Sequence, residues 1–358
     1  MSTDQENRVR VTRASAKRAS AASSSLSSSA PPRKKRAVLG DVTNTIVGNS
    51  GILPSTPAPS KKKVVALVGV PVVAVDNVDP CGDDPQMCGP YASEIYQYLR
   101  ESENKRRPSP NYMESFQHDV NANMRSILVD WLVEVAEEYK LLPDTLHLTI
   151  AYLDRFLSSN ALYRQKLQLL GVSCMLIASK HEEICPPHVE DFCYITDNTY
   201  SKQEVVEMER KILMLLNFEM STPTIKTFLS GFIMAAGQKT ESPNLALEYL
   251  CNFLAEVCLL EYGCLQFLPS QIAASIVFVA RFTLCPRTHP WSKHLQNQTG
   301  YKVSDLRECI QVIHDLQLKS KNCTLAAVRE KYKQHKFKSV STLAFPEKIP
   351  STFFEDLN

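Results

Sequence analysis

Apolar residues recur every three or four positions through most of the chain that follows Pro90, which is the spacing of amphipathic helices. Residues 1 to 87 are instead rich in Ser, Ala, Pro, Lys and Arg and show no helical period. The pattern therefore predicts an all-α fold after a disordered N-terminal tail. The predicted helices are Ala92–Glu103, Asn121–Tyr139, Asp144–Ser158, Leu167–Ser179, Ser201–Leu216, Thr224–Ala236, Leu245–Leu260, Pro269–Thr283, Val303–Lys319 and Leu325–Lys333.

Local signals support several of these boundaries. Ser201 is followed three residues later by Glu204, which predicts a capping box at the start of a helix. Proline interrupts the helical pattern because it lacks an N–H group and clashes with the preceding turn. The predicted stops are Pro143, Pro186, Pro187, Pro223 and Pro286.

A short pattern occurs twice in the helical part. The segment Trp131-Leu132-Val133-Glu134-Val135 resembles Phe253-Leu254-Ala255-Glu256-Val257, and an Arg-Phe pair follows each, at Arg155-Phe156 and Arg281-Phe282. Repetition of this kind indicates repeated structural units. We therefore predict two similar domains of about five helices each, over residues 88–219 and 220–358, after a tail of residues 1–87.

Arg125 lies in the middle of the apolar face of the helix predicted over Asn121–Tyr139. Its guanidinium could extend along the helix surface into water. The alternative is burial beside a carboxylate, because an unpaired buried charge costs several kcal/mol. Asp154 is the natural partner, since it lies in a helix that is otherwise almost entirely apolar. The second repeat has Leu247 and Ala280 at the matching places, so the ion pair is predicted for the first domain only.

Two further charges lie close to apolar surface. Glu209 shares a helix face with Val205, Val206 and Ile212, so it is either paired inside the protein or borders an interface. Lys180 ends a helix that is apolar on all sides. A lysine at this position could simply compensate the helix dipole, and that alternative stays open.

The net charge of +2 hides an uneven distribution. Residues 1–63 carry 12 Lys and Arg against 3 Asp and Glu, a net charge of +9, so the remainder carries −7. The 11 cysteines are scattered and include no C-x-x-C pair, which favours a reducing intracellular compartment. The longest apolar run of the first third, Val64 to Val75, is too short to cross a membrane.

Five sequence motifs follow one another in the first predicted domain. They are Met124-Arg125-Ser126-Ile127-Leu128-Val129-Asp130-Trp131-Leu132-Val133-Glu134-Val135, Tyr152-Leu153-Asp154-Arg155-Phe156-Leu157, Lys166-Leu167-Gln168-Leu169-Leu170-Gly171, Ala178-Ser179-Lys180-His181-Glu182-Glu183 and Tyr194-Ile195-Thr196-Asp197-Asn198-Thr199-Tyr200. By these motifs the domain resembles the cyclin box, and the match extends from about Tyr91 to the C-terminus. The variant is similar to the A-type cyclins, in particular to the plant A-type subgroup that is numbered third.

The resemblance implies a non-enzymatic protein that binds and activates a cyclin-dependent kinase. By resemblance, Arg125, Asp154, Leu169, Lys180 and Glu209 match the five positions that mark the family's first box. The residues at which the family contacts its kinase match Lys180, Glu209, Phe218, Tyr91, Ile95 and Tyr98.

The resemblance also implies a docking patch for substrates and inhibitors that carry Arg-x-Leu motifs. On the helical projection, Met124, Ile127 and Trp131 border the acidic edge formed by Glu134 and Glu138. In this arrangement Glu134 would bind the peptide arginine and the apolar strip its leucine. The alternative is that the chain's own N-terminal segment covers the strip. The matching patch residues are Met124, Ile127, Leu128, Trp131, Glu134, Arg164, Leu167 and Gln168.

Two motifs overlap in the tail. The cluster Arg33-Lys34-Lys35-Arg36 suits nuclear import, although a solvated run of charge has the same composition. Arg36, Leu39 and Asn44 fit the R-x-x-L-x-x-x-x-N destruction box that the mitotic ubiquitin ligase recognises. Together they predict a nuclear protein that is destroyed in mitosis.

Catalysis and cofactor binding are not expected. The chain has no Gly-rich phosphate loop, no G-x-S-x-G, no H-E-x-x-H and no Cys/His cluster at zinc spacing, so neither a metal nor a cofactor is predicted. The competing hypothesis is a transcription factor with two such repeats and a basic arm. It is disfavoured because the globular part is acidic and no zinc ribbon is present. We accordingly predict no direct contact with nucleic acid or membrane.

Overall fold

The computed structural model describes residues 91–237, 244–320 and 323–356. The predicted tail, the import cluster and the destruction box lie outside these residues. The described residues form helices and no strands, which confirms the all-α prediction. The α-helices are α1 Ala92–Lys105, α2 Tyr112–Ser115, α3 Ala122–Tyr139, α4 Pro143–Leu157, α5 Leu167–Glu182, α6 Val189–Ile195, α7 Lys202–Leu215, α8 Ile225–Gly237, α9 Leu245–Leu260, α10 Pro269–Leu284, α11 Lys293–Thr299, α12 Val303–Lys319 and α13 Ala327–Lys333.

The first domain is built around α5. This helix packs against α3, α4, α6 and α7, and its residues from Leu169 to Ser179 are all buried. Gly171 allows the close approach of α3, because a Cβ atom at this position would lie 3.0 Å from Cδ1 of Leu128. The uniformly apolar sequence of α5 is therefore explained by its central position.

The second domain repeats this plan around α10, which packs against α8, α9 and α12. Its residues from Ile272 to Ala280 are all buried. The segment beyond α12 folds back over this domain, where Phe353 and Phe354 contact the rings of Phe282 and Phe278. Each half thus has a core surrounding one apolar helix.

Capping side chains define several helix starts. The capping box of Ser201 and Glu204 is present at α7 as predicted, and a hydrogen bond from Lys166 and others from Ser201 lower the pKa of Glu204 to about 2. Asn121 caps α3 by accepting a hydrogen bond from the N–H of Met124. Helix α3 ends at Tyr139, ahead of Pro143 as predicted, and Pro143 is itself the first residue of α4, where its missing N–H has no cost.

No helix in the described residues is long and apolar enough to cross a membrane.

Candidate functional site

Arg125 and Asp154 form a buried, two-pronged ion pair between α3 and α4. Nε of Arg125 donates to Oδ1 of Asp154 and Nη2 donates to Oδ2, each over 2.7 Å. The hydroxyl of Tyr112 donates to the same carboxylate over 2.8 Å. Burial lowers the pKa of Arg125, but the neighbouring carboxylate outweighs this effect and holds the pKa above its ordinary value. The remaining nitrogen, Nη1, donates to the carbonyl of Leu259 in the second domain over 2.9 Å. The pair is therefore structural and reaches both domains.

Lys180 and Glu209 meet at the surface, where the end of α5 crosses α7. Nζ of Lys180 donates to Oε1 of Glu209 over 2.6 Å. The lysine side chain is 47% exposed, while that of the glutamate is 13% exposed. An ion pair open to solvent contributes little to stability. Lys180 can therefore exchange this contact for one with a partner, whereas Glu209 presents only an edge of its carboxylate at the surface.

Large apolar side chains are exposed along the same chain segments. Val206 and Met214 on α7 are 42% and 59% exposed, and Phe218 just after this helix is 68% exposed. The prediction that Val206 shares the buried face of Val205 is wrong, because adjacent residues on a helix point about 100° apart. At the N-cap and along α1, Tyr91, Ile95 and Tyr98 form a second exposed apolar group. These surfaces are apolar enough to bind another protein.

The residues of the predicted docking patch divide into a surface and a floor. Ile127 is 52% exposed, Met124 and Trp131 are half-buried, and Glu134 is exposed. Leu128 and Leu167 are each only 6% exposed. Because these two lie in the core, they can support the patch from below but offer little surface to a peptide.

The polar members of the patch differ in their availability. The guanidinium and backbone N–H of Arg164 both donate to the carboxylate of Asp119, at distances of 2.6 and 2.8 Å. Glu134 instead lines an open cleft of about 310 Å³ between α3 and α13. The cleft is acidic, with Val133, Glu137, Glu138, Ala327, Glu330, Lys331 and Gln334 as its other lining residues.

A second buried charge network was not predicted from the sequence. Nζ of Lys331 on α13 lies 2.7 Å from Oε1 of Glu256 on α9 and 3.4 Å from Oε1 of Glu137 on α3. The hydroxyl of Tyr332 donates to the same oxygen of Glu256 over 2.8 Å. One signal could have revealed it, because the sequence repeat aligns Glu256 with Glu134 in the middle of an apolar helix. This network joins α13 to both domains.

No group of three or more His, Cys, Asp and Glu side chains that could hold a metal occurs in the described part of the chain.

The sequence matches two family models over most of its length. Residues 94–221 match "Cyclin, N-terminal domain" and residues 223–346 match "Cyclin, C-terminal domain". This chain therefore belongs to the cyclin family, and its fold is two consecutive cyclin domains. Cyclins are non-catalytic regulatory subunits of kinases, which confirms the prediction that the chain is not an enzyme. The predicted domain boundaries, residues 88–219 and 220–358, stay a prediction.

The similarity to plant A3-type cyclins extends over nearly the whole chain. Cyclin-A3-1 of Oryza sativa subsp. japonica is 55% identical, with 98% of this chain and 96% of the relative covered. G2/mitotic-specific cyclin C13-1 of Daucus carota is 53% identical, with 91% and 98% covered. Among solved structures, the viral cyclin of herpesvirus saimiri superimposes with a TM-score of 0.56 and 21% identity. It covers 62% of this chain and 96% of its own, and at this identity it supports the fold alone.

Proposed function

We propose that this chain binds and activates a cyclin-dependent serine/threonine kinase. The observation that carries the proposal is the Lys180–Glu209 ion pair, which is open to solvent on its lysine side and close in sequence to exposed apolar residues of α7 and the following turn. The proposed contacts are Lys180, Glu209 and Phe218, together with Tyr91, Ile95 and Tyr98 of α1.

The proposed mechanism involves no chemistry on this chain. A protein kinase is active when the lysine of its β3 strand pairs with the glutamate of its αC helix. A rigid cyclin surface that binds αC in its inward position favours the active conformation by binding energy alone. Lys180 and Glu209 supply charge for this contact, and the exposed apolar side chains supply the buried area.

The test replaces both charges at once, with Lys180→Ala combined with Glu209→Ala. We expect kinase activation to be lost while the helical circular dichroism spectrum is unchanged, because an exposed ion pair adds little to stability. Lys202→Ala with Glu190→Ala is the control, since this pair has the same 2.6 Å separation at a more exposed place on the surface. Full activation by the first variant, or an equal loss in the control, would exclude the proposed contact.

We further propose that the patch around Met124, Ile127, Trp131 and Glu134 recruits Arg-x-Leu substrates and inhibitors. The adjoining acidic cleft supports this role by its charge. Met124→Ala with Trp131→Ala is expected to slow phosphorylation of a protein substrate that carries the motif. Phosphorylation of a short peptide with only the acceptor sequence should not change. If phosphorylation of both substrates slows equally, the two residues support the fold or the kinase contact, and the docking role is excluded.

Nuclear import through Arg33–Arg36 and destruction through Arg36, Leu39 and Asn44 are likewise proposals. The name of the carrot relative contains the term G2/mitotic-specific, which supports action in G2 and mitosis. Action in S phase and ubiquitin-mediated proteolysis are proposed from the resemblance and the tail motif alone. Arg36→Ala with Leu39→Ala should let the protein persist through late mitosis in synchronised cells. An unchanged half-life would contradict the proposed recognition by the mitotic ubiquitin ligase.

A further inference from the structure

Helix α1 carries two different faces. Tyr91, Ile95 and Tyr98 follow one another at intervals of four and three residues and are all exposed. Tyr96, Arg100 and Glu103 have the same spacing on another face and are partly or fully buried. Side chains at these intervals lie one above the other on a helix. One face of α1 is therefore open to a partner, while the other attaches it to the protein.

The buried face attaches α1 to the second domain. The hydroxyl of Tyr96 donates to the carbonyl of Thr299 over 2.8 Å, and its ring lies edge-on against Phe228 and Phe232, each 6.1 Å away between centroids. Arg100 hydrogen bonds to Ser270 and Tyr301, and its guanidinium lies 4.6 Å from the centre of the Tyr301 ring. These partners all belong to the second cyclin domain.

Glu103 is the most buried of the three, with only 2% of its surface exposed. Its carboxylate accepts hydrogen bonds from the backbone N–H of Ser270 over 3.0 Å and from the Ser270 hydroxyl over 2.8 Å. Ser270 is in the first turn of α10, where backbone N–H groups have no partner within the helix. A carboxylate is also favoured there by the helix dipole. Arg100 completes the cluster with a 3.0 Å ion pair to Glu103.

We infer that Glu103 is a positioning residue for kinase binding, acting through α1. Its contact with Ser270 fixes the C-terminal half of α1 on the second domain, and the rigid helix then presents Tyr91, Ile95 and Tyr98 in one arrangement. The inference rests on the proposed function, because it assigns the exposed face of α1 to the kinase. It adds that this part of the chain's kinase-binding surface depends on the second domain.

The contact should contribute to affinity by preorganisation. A helix that is already fixed does not have to lose conformational freedom when the partner binds. Without the carboxylate, Arg100 would be the one residue of α1 still bonded to Ser270, so α1 would be held less firmly and kinase binding would have to restore the arrangement. The cost should therefore appear in kinase affinity only while the exposed face of α1 still makes contacts.

A thermodynamic cycle tests this dependence on the full chain. The binding partner is a purified cyclin-dependent kinase catalytic subunit that co-precipitates with the chain from dividing cells. Glu103→Ala should raise its Kd about tenfold. In a chain that also carries Tyr91→Ala, Ile95→Ala and Tyr98→Ala, Glu103→Ala should cause no further change. Glu103→Gln, which keeps one acceptor oxygen, should give an intermediate Kd and provides the same cycle if Glu103→Ala does not fold.

Asp356 offers a control with the same hydrogen-bond pattern at an exposed position. Its carboxylate accepts hydrogen bonds from the N–H and hydroxyl of Ser304, over 3.0 and 2.9 Å, just as Glu103 does with Ser270. Asp356→Ala should leave the Kd unchanged, because α1 is not involved. Hydrogen exchange provides a local measurement, since Glu103→Ala should speed exchange of α1 amides and leave those of α5 protected.

The possible outcomes separate the inference from the proposed function. An equal loss from Glu103→Ala with and without the three α1 substitutions would overturn the positioning role, as would an equal loss from Asp356→Ala. A wild-type chain that binds no cyclin-dependent kinase would instead refute the proposed function. That result requires no variant.

Discussion

At the residue scale, Arg125 is held by groups from three directions. Two of its nitrogens bind Asp154, a third binds the carbonyl of Leu259, and Tyr112 binds the same carboxylate from another side. A guanidinium can donate five hydrogen bonds in a fixed plane, which a lysine could not reproduce. Arginine is therefore required by the geometry as well as by the charge.

Replacing Arg125 with alanine would leave Asp154 buried without its counter-charge. We expect Arg125→Ala to lower the free energy of unfolding by about 3–5 kcal/mol, measured by denaturant titration. Arg164→Ala is the control, because this arginine forms an exposed pair with Asp119 and should change stability little. A loss below about 1 kcal/mol for Arg125→Ala would mean that water replaces the guanidinium at little cost.

His147 provides a pH-dependent contribution to stability. It is 3% exposed, its Nδ1–H donates to the carbonyl of Pro143 over 2.9 Å, and burial lowers its pKa from 6.5 to about 4. The neighbouring Lys226 and Lys331 lower this pKa further. Between these two values the unfolded chain binds a proton that the folded chain does not. Stability from this group is thus complete above pH 6.5 and falls as the pH drops towards 4.

The expected size of this loss is about 3 kcal/mol across the interval. It is measured as the difference in unfolding free energy between the wild type and His147→Asn, which cannot titrate but can still donate to Pro143. As the solution is acidified, the unfolding free energy of the wild type should fall relative to that of His147→Asn. A difference independent of pH would show that His147 is protonated alike in both states.

A buried charged residue can be predicted from the sequence when its own helix shows the anomaly, and not when the signal lies only in a partner that is distant in sequence. Arg125 and Asp154 are visible in the sequence because each interrupts an apolar helix face, and paired charges are the usual solution. Glu103 gives no such signal, since its partner Ser270 lies 167 positions away and only the fold brings them together. Lys331 is hidden for the same reason, in a short helix with one other lysine.

At the element scale, the close approach of α3 and α5 depends on Gly171. A Cβ atom at this position would meet three side-chain atoms of Leu128, at 3.0 to 3.4 Å. Leu128 is itself fixed in the core beneath the proposed docking patch. Gly171 therefore determines how far below the surface of the patch Leu128 lies.

Gly171→Ala is expected to destabilise the protein by about 1 kcal/mol, because overpacking outweighs the gain in helix propensity. It should also weaken phosphorylation of an Arg-x-Leu substrate by pushing Leu128 outward. Gly231→Ala in α8 is the matched control, since a Cβ there meets nothing within 4 Å. The control should stabilise the helix by about 0.5–1 kcal/mol. If both variants behave alike, the spacing of α3 and α5 does not depend on Gly171.

The length of an element largely decided whether it could be predicted, although the seven-residue α13 was predicted within Leu325–Lys333. Helices α9 and α12 have the predicted bounds, and the other long helices differ from theirs by a few residues at their ends. The short helices α2, α6 and α11 were missed because four to seven residues contain too few apolar repeats to show a period. Their helicity depends on tertiary contacts, such as the packing of Tyr112 beside Asp154.

At the scale of the whole described molecule, the two repeated domains are not independent. Helix α13 belongs to the second domain by sequence, yet Lys331 connects Glu256 with Glu137, and the N–H of Ala327 donates to Asp130. Helix α1 belongs to the first domain by sequence but is held by the second. The repeat in the sequence predicts two domains. It does not predict that α1 and α13 each pack on the other domain, because these contacts join residues far apart in the sequence and leave no periodic pattern.

Phe218, in the turn after α7, has an unfavourable backbone conformation and an exposed aromatic ring. Its backbone has a φ of +58°, in the left-handed region that costs a non-glycine residue about 1–2 kcal/mol, and its ring is too exposed to recover much of that by burial. Glycine would suit the free chain better at this turn. Under the proposed kinase contact, the ring is needed only in the complex. Selection for heat resistance of the isolated protein would thus favour variants that are poorer activators, so its thermal optimum and its regulatory optimum are different sequences.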